Sequence, residues 1–290
     1  MASIIDSLSS SIKVSITSSM LQDLSRHLRL RLHQLQGEFG AVPQVQSCID
    51  NFIPNGNGGG MSRTPCRSKN SCIWCTPQEL AKERSNISNL LQEWGAEGLV
   101  LFVTLNLKFP QGLELGAKYQ LLKNAWTLFI ADSRVNKLRV QNGLKYVRVL
   151  EEVVSDGVWF PHFHLVMALK ETPGFDAEEL KRSLRQIWTA KAHKVGLIET
   201  LTAVQHISTF QLGTHLKLAD YLVKHGRVGL YLDTDSVETS VEGMSPFHVF
   251  QLFVATGDAD AGSLWSDFQF FSIGQRRISY SKAARVESIC

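Results

Sequence analysis

Three groups of residues in this chain have the types and spacing that chemistry requires. The first is Pro161-His162-Phe163-His164-Leu165-Val166-Met167. Side chains alternate across a strand, so His162 and His164 leave one face together while Phe163, Leu165 and Met167 leave the other. Two imidazoles so spaced can share one divalent metal; the competing reading is two polar residues on the wet face of an edge strand. If Asp156-Gly157 forms a two-residue turn, the flanking strands pair so that Ser155 faces Val158 and Glu151 lies opposite His162. Directly opposed residues share a face with Cβ atoms about 5 Å apart, which brings the Glu151 carboxylate to the same ion, while Glu152 points away. Two histidines and one carboxylate with open positions suit a hard or borderline cation, Mg²⁺ or Mn²⁺ where the group to be polarised is a phosphate.

The second group is Lys217, Tyr221, Lys224 and His225, which fall on one polar face of a helix while Leu218 and Leu222 point elsewhere. A phenol ordinarily titrates near 10, so Tyr221 is a poor nucleophile until a cation or metal stabilises the phenolate. Lys224, one turn along, can supply that charge or neutralise a phosphate. An ordinary surface tyrosine is the alternative.

The third group is the cysteines, five in number, of which Cys48, Cys66, Cys72 and Cys75 crowd together and Cys290 stands last. A Cys-x2-Cys knuckle sets two thiolates on one turn, and a second pair arriving from elsewhere closes a tetrahedral Zn²⁺ site. The run Asn55-Gly56-Asn57-Gly58-Gly59-Gly60 cannot pack a core, so something besides hydrophobic burial must hold this region. Cys66, Cys72 and Cys75 are the firmer ligands, and His33 is the stand-in for Cys48. Disulfides are the rival account. The Ser-rich start carries acidic residues and no apolar stretch ending in a cleavage site, which favours a reducing cytoplasm.

These groups need elements to hold them. Leucines at spacings of three and four from Leu21 to Leu35 predict an amphipathic helix over about 20–35. A helix is expected over 77–94, then after Gly98 a buried strand over 99–107. Tyr119, Leu122, Trp126 and Phe129 stripe the next helix, strands follow over 146–154 and 162–169, and Asp176 caps a helix striped by Leu180, Leu184 and Trp188. A strand over 204–210 and a helix over 214–224 complete the order, an α+β arrangement on a mostly antiparallel sheet. From Ser245 on, two helices and an extended segment read as a packing appendage.

The chain has 290 residues, 44% hydrophobic, with a net charge of +3. That excludes a fibre and a disordered tail, and no apolar run is long enough to span a membrane. The small surplus excludes attraction of nucleic acid by bulk charge. Charge is instead local: between 104 and 148, and again between 181 and 227, eight Lys and Arg stand against two acids. Lys145, Arg148 and Lys217 are the candidates for a DNA backbone; solvated helix faces are the other reading.

The series Phe102-Val103-Thr104-Leu105-Asn106, Ala125-Trp126, Arg148 to Glu151, Trp159 to His164 and Tyr221 to Lys224 resembles the replication initiators of rolling-circle plasmids, members of the HUH endonuclease superfamily. The cysteine cluster upstream and Ser245-Pro246-Phe247, Leu264-Trp265 and Arg276 to Ser281 downstream look like that family's flanking regions. The resemblance implies an N-terminal region (1–47), a cysteine-rich zinc-binding segment with its helix (48–95), an HUH endonuclease domain (96–227) and a C-terminal helical appendage (228–290). It implies a metal on His162 and His164, attack on a DNA phosphodiester by Tyr221 assisted by Lys224, a 5′-phosphotyrosyl link and a 3′-hydroxyl primer. The partners implied are single-stranded and duplex origin DNA and a host helicase and polymerase. A relaxase or transposase, or a non-catalytic zinc-stapled DNA-binding regulator, are the other functions weighed. Phe160 stands where relatives carry a histidine, and Asn106 where they carry a threonine. Tyr231 lies off the helix, so a single nucleophile is expected.

Overall fold

The structure, a computed structural model, describes residues 36, 45, 46, 48, 66–173, 175–197, 206–209, 213–224 and 243–287. The expected helix over 20–35, His33, the glycine run, His225, Tyr231 and Cys290 lie outside the described residues.

A five-stranded antiparallel sheet organises the chain, in the order β4-β1-β3-β2-β5. Its strands are β1 (Leu99–Leu105), β2 (Lys145–Ser155), β3 (Val158–Leu169), β4 (Ile207–Thr209) and β5 (Ile278–Tyr280). The helices are α1 (Cys75–Glu97), α2 (Leu115–Ile130), α3 (Ser133–Gln141), α4 (Ala177–Lys194), α5 (His215–Leu222), α6 (Pro246–Thr256), α7 (Ala259–Phe271) and α8 (Lys282–Glu287). Among the described residues no helix is long and apolar enough to cross a membrane.

The β2–β3 hairpin sets the geometry of everything that follows. Asp156 and Gly157 take φ of 53° and 70°, the left-handed values a tight two-residue hairpin turn demands, and Gly157 adopts them at no steric cost. The register then runs unbroken from Ser155↔Val158 through Glu151↔His162 to Lys145↔Ala168, as the turn chemistry predicts. β3 lies between β1 and β2, so the histidines sit on a central strand and not on a wet edge.

Each face of the sheet carries its own core. On one face Val100, Val147, Val149, Val166 and Ala168 pack under α1 (Leu80, Ile87, Leu91, Trp94) and α5 (Ala219, Leu222). On the other, Leu101, Val103, Phe163, Leu165 and Met167 pack under α2, α4, α6 and α7 through Tyr119, Phe129, Trp188, Phe250, Trp265 and Phe268. Residues 246–280, read from sequence as an appendage, thus contribute two helices and the edge strand β5 to this sheet and core. Their aromatics bury too much apolar area to remain a separate layer. Asp176 caps α4 as expected, accepting from the amides of Glu178 and Glu179. Gly98 follows the end of α1, and a Cβ there would run into the Leu169 carbonyl oxygen, so the position calls for glycine.

Candidate active site

The alternation of β2 and β3 delivers Glu151, His162 and His164 to one face, all three buried. The Nδ1 of His162 lies 3.4 Å from the Phe160 carbonyl, and the Nδ1 of His164 lies 3.1 Å from Thr104 Oγ1. A carbonyl only accepts, so a proton on His162 Nδ1 would satisfy this contact and leave Nε2 a ligand. The two Nε2 atoms stand 3.2 Å apart. Glu151 Oε2 contacts His164 Nε2 and lies 3.7 Å from His162 Nε2. All three donors fall within 4.8 Å of one another, so this set could hold a metal. The structure itself bears on the fit, because a cation already meets these donors: Lys224 Nζ lies 3.1 Å from Glu151 Oε1.

Tyr221 reaches the same place from α5. Its ring stands 5.2 Å from the His164 ring and 5.6 Å from Phe102, which in turn stacks on His164 at 5.2 Å. The tyrosine is 39% exposed, enough for a ligand to approach. Its helix ends at Leu222, two residues earlier than the sequence pattern predicts, and the turn that follows folds Lys224 Nζ back to 3.8 Å from the Tyr221 ring centroid. Asp220 ties the helix to α1 through Arg84, whose Nε and Nη2 donate to the two carboxylate oxygens at 2.5 and 3.1 Å.

The predicted DNA contacts divide. Lys217 is exposed on α5, one turn before Tyr221. Lys145 shares the sheet face with Glu151 but sits at the far end of β2, paired with Glu97 at 3.2 Å. Arg148 lies elsewhere. Its strand position has the opposite parity to Glu151, so it leaves the other face, where its guanidinium lies over the rings of Phe163 and Trp126 at 4.3 and 5.0 Å. Burial pushes its pKa down to about 10, and one nitrogen donates to Ser279 Oγ. There it is part of the packing, away from the face that carries Glu151, His162 and His164.

Thr104, Phe102, Arg84 and Asp220 were not singled out from sequence as site residues. Thr104 orients an imidazole, Phe102 walls it, and the Arg84–Asp220 pair fixes the helix that carries Tyr221. Phe102 and Thr104 stand in the first stretch of the resemblance without a role of their own, and the β1–β3 register, which pairs Thr104 with His164, brings them to the site.

A second cluster joins Cys48, Cys66, Cys72 and Cys75, whose sulfurs all lie within 4.8 Å of one another and form no disulfide. Four sulfurs about 2.3 Å from one Zn²⁺ stand about 3.8 Å apart, and the Cys48–Cys75 separation is 3.7 Å. The Cys75 amide donates to Cys72 Sγ at 3.3 Å at the start of α1, a position that favours negative sulfur. The Cys48 contact pushes the thiols of Cys72 and Cys75 upward, whereas contacts from Cys72 and Cys75 bring Cys66 down against the Cys48 contribution. Four crowded thiols cannot all ionise without a cation among them, and a metal such as zinc fits this cage.

No family model, curated protein or solved structure matches this chain.

Proposed function

We propose that the chain is a rolling-circle plasmid replication initiator with an HUH-type nuclease fold, which nicks and rejoins one DNA strand at an origin. The observation that carries this reading is the meeting of a helical tyrosine with a sheet-borne imidazole pair, Tyr221 beside His164, with Lys224 on Glu151. His162, His164 and Glu151 would hold Mg²⁺ or Mn²⁺, which when bound supplies charge to a phosphoryl oxygen. Tyr221 Oη forms the bond to phosphorus, the 3′-oxygen leaves and takes a proton, and the phenol proton passes to solvent or base. The product is a 5′-phosphotyrosyl link and a free 3′-hydroxyl for a host polymerase. The Lys224 ammonium offsets charge on the phosphate, where such catalysis gains most. Exposed Lys217 tracks the strand next to Tyr221. Zn²⁺ on the four cysteines would fix residues 66–75 against the start of α1.

The test uses single-stranded oligonucleotides tiled across the DNA flanking the coding sequence, incubated with the protein and Mn²⁺. A denaturation-resistant protein–DNA adduct is expected with the parent and not with Tyr221→Phe. No adduct on any strand, with duplex binding retained, would move the reading to a zinc-stapled DNA-binding regulator.

A further inference from the structure

Glu151 has a side chain only 3% exposed, and an ionised carboxylate so placed requires a positive partner. Its two oxygens are divided. Oε2 faces the imidazoles, and Oε1 faces Lys224 Nζ at 3.1 Å. The lysine differs from the carboxylate in one respect that matters: its side chain is 36% exposed, on a four-carbon stem just past the end of a short helix. It can leave; Glu151, in the middle of a paired strand, cannot.

We infer that Lys224 is a place-holding cation: its ammonium neutralises Glu151 until a divalent metal binds the His162–His164–Glu151 set, and the metal's arrival releases it. The inference rests on the metal-site reading above and adds an order of events to it. A divalent ion on the imidazoles and an ammonium on the same carboxylate would stand within a few ångströms of each other, and like charges at that range repel strongly in a buried setting. The ammonium therefore leaves Oε1, pivots about the Tyr221 ring that lies 3.8 Å beneath it, and becomes available to an anion held at the metal. Lys224 is then coupled to the metal with two signs. It opposes metal entry when no anion is present, and it favours the anion once the metal is in. The coupling is reciprocal, so a phosphate that draws the lysine away tightens the metal.

Removing Lys224 would accordingly strengthen metal binding, the reverse of what loss of an ordinary helper residue produces. The experiment titrates Mn²⁺ alone into the full chain and follows free Mn²⁺ by electron paramagnetic resonance. Lys224→Met, which keeps an unbranched chain over the Tyr221 ring, should bind Mn²⁺ about tenfold tighter than the parent. Lys217→Ala, which removes a nearby charge that does not contact Glu151, should match the parent. Equal or weaker binding by Lys224→Met overturns the inference while leaving the metal site standing. If neither parent nor Lys224→Met binds Mn²⁺, both fail. If Lys224→Met tightens Mn²⁺ and no variant forms a DNA adduct, the inference stands and the endonuclease reading falls. A measurement on the parent guards against misfolding of the variant: the Lys224 ammonium resonance, assigned by its loss in Lys224→Arg, should move on adding Mg²⁺. A resonance unmoved at saturating Mg²⁺ overturns the exchange.

Discussion

Glu151 and Glu152 are adjacent, both buried, and sit on opposite faces of β2, and their replacement by glutamine should separate function from stability. The Glu152 carboxylate accepts from Tyr119 OH at 2.9 Å and from Arg277 Nη2 at 2.8 Å. Burial pushes its pKa up, and Arg277 opposes that push. The Arg277 side chain is 4% exposed and cannot turn to water. Glutamine keeps an acceptor oxygen for Arg277 and its amide can donate to the Tyr119 hydroxyl, which accepts as readily as it donates, but the buried guanidinium loses its counter-charge. Breaking such a pair costs about 3–5 kcal/mol. Arg277 keeps the Leu150 carbonyl at 3.3 Å and Asn70 Oδ1 at 3.4 Å, which places the cost near the lower end, about 3 kcal/mol. For a chain of this size that lowers the melting temperature by about 6–12 °C. Glu151 differs because its charged partner, Lys224, is 36% exposed and turns to solvent at little cost. Glu151→Gln should melt within about 3 °C of the parent, since a partly exposed pair contributes at most about 1 kcal/mol. It should also lose Mn²⁺ affinity by about 100-fold or more, because a charged ligand is gone. Differential scanning fluorimetry and Mn²⁺ titration of the two variants decide the matter. Two variants that melt alike, or Glu151→Gln melting below Glu152→Gln, would refute the assignment of the two faces.

The remaining expectations follow from the same contacts. Protein purified under reducing conditions should carry one zinc per chain, exchangeable for Co²⁺ with thiolate charge-transfer bands, and Cys72→Ser should lose it; a chain that folds with no stoichiometric metal would contradict the cage. Arg84→Ala, which unties the Asp220 end of α5, should slow adduct formation while leaving Mn²⁺ affinity unchanged, and equal loss of both would show that the pair serves the fold at large. Arg134, with Lys191 at 2.7 Å, holds the Asp132 carboxyl well below the usual carboxylate range. A depressed folded-state pKa adds stability above the unfolded value near 4 and loses it as pH falls through the folded-state value. The gap between parent and Asp132→Asn should therefore be full at neutral pH and shrink in acid below about pH 4, where a constant gap would refute the pairing.

What was legible in the sequence is what short-range geometry controls. The Asp156-Gly157 turn sets the hairpin register, and period two then carries Glu151 onto the face of His162 and His164. The same parity assigns Arg148 to the opposite face, which local basic charge alone does not tell. Contacts between distant segments carried no such signal. Thr104 meets His164 across a β1–β3 pairing that no turn specifies, and Arg277 reaches Glu152 from 125 positions away. The fold of Lys224 back over Tyr221 was hidden because helical spacing extends the pattern past the residue where the helix stops.

The division of labour between sheet and helix follows from how each element is held. His162, His164 and Glu151 sit on strands paired along their length, so their separation is fixed by the ladder and not by the site. Tyr221 rides on an eight-residue helix, too short to persist without tertiary contacts. It stays because Ala219 and Leu222 are buried, because Asp220 grips Arg84, and because Lys224 rests on Glu151. The three donors are thus held by the sheet, while Tyr221 is held by a few separate contacts. In the proposed reaction an in-line attack would ask for that combination, since donors must be preorganised before reaction while the phenol would turn toward phosphorus during it. The Lys224 contact ends on Glu151, so in the proposed reading a metal on the His162–His164–Glu151 set would bear directly on how Tyr221 is held.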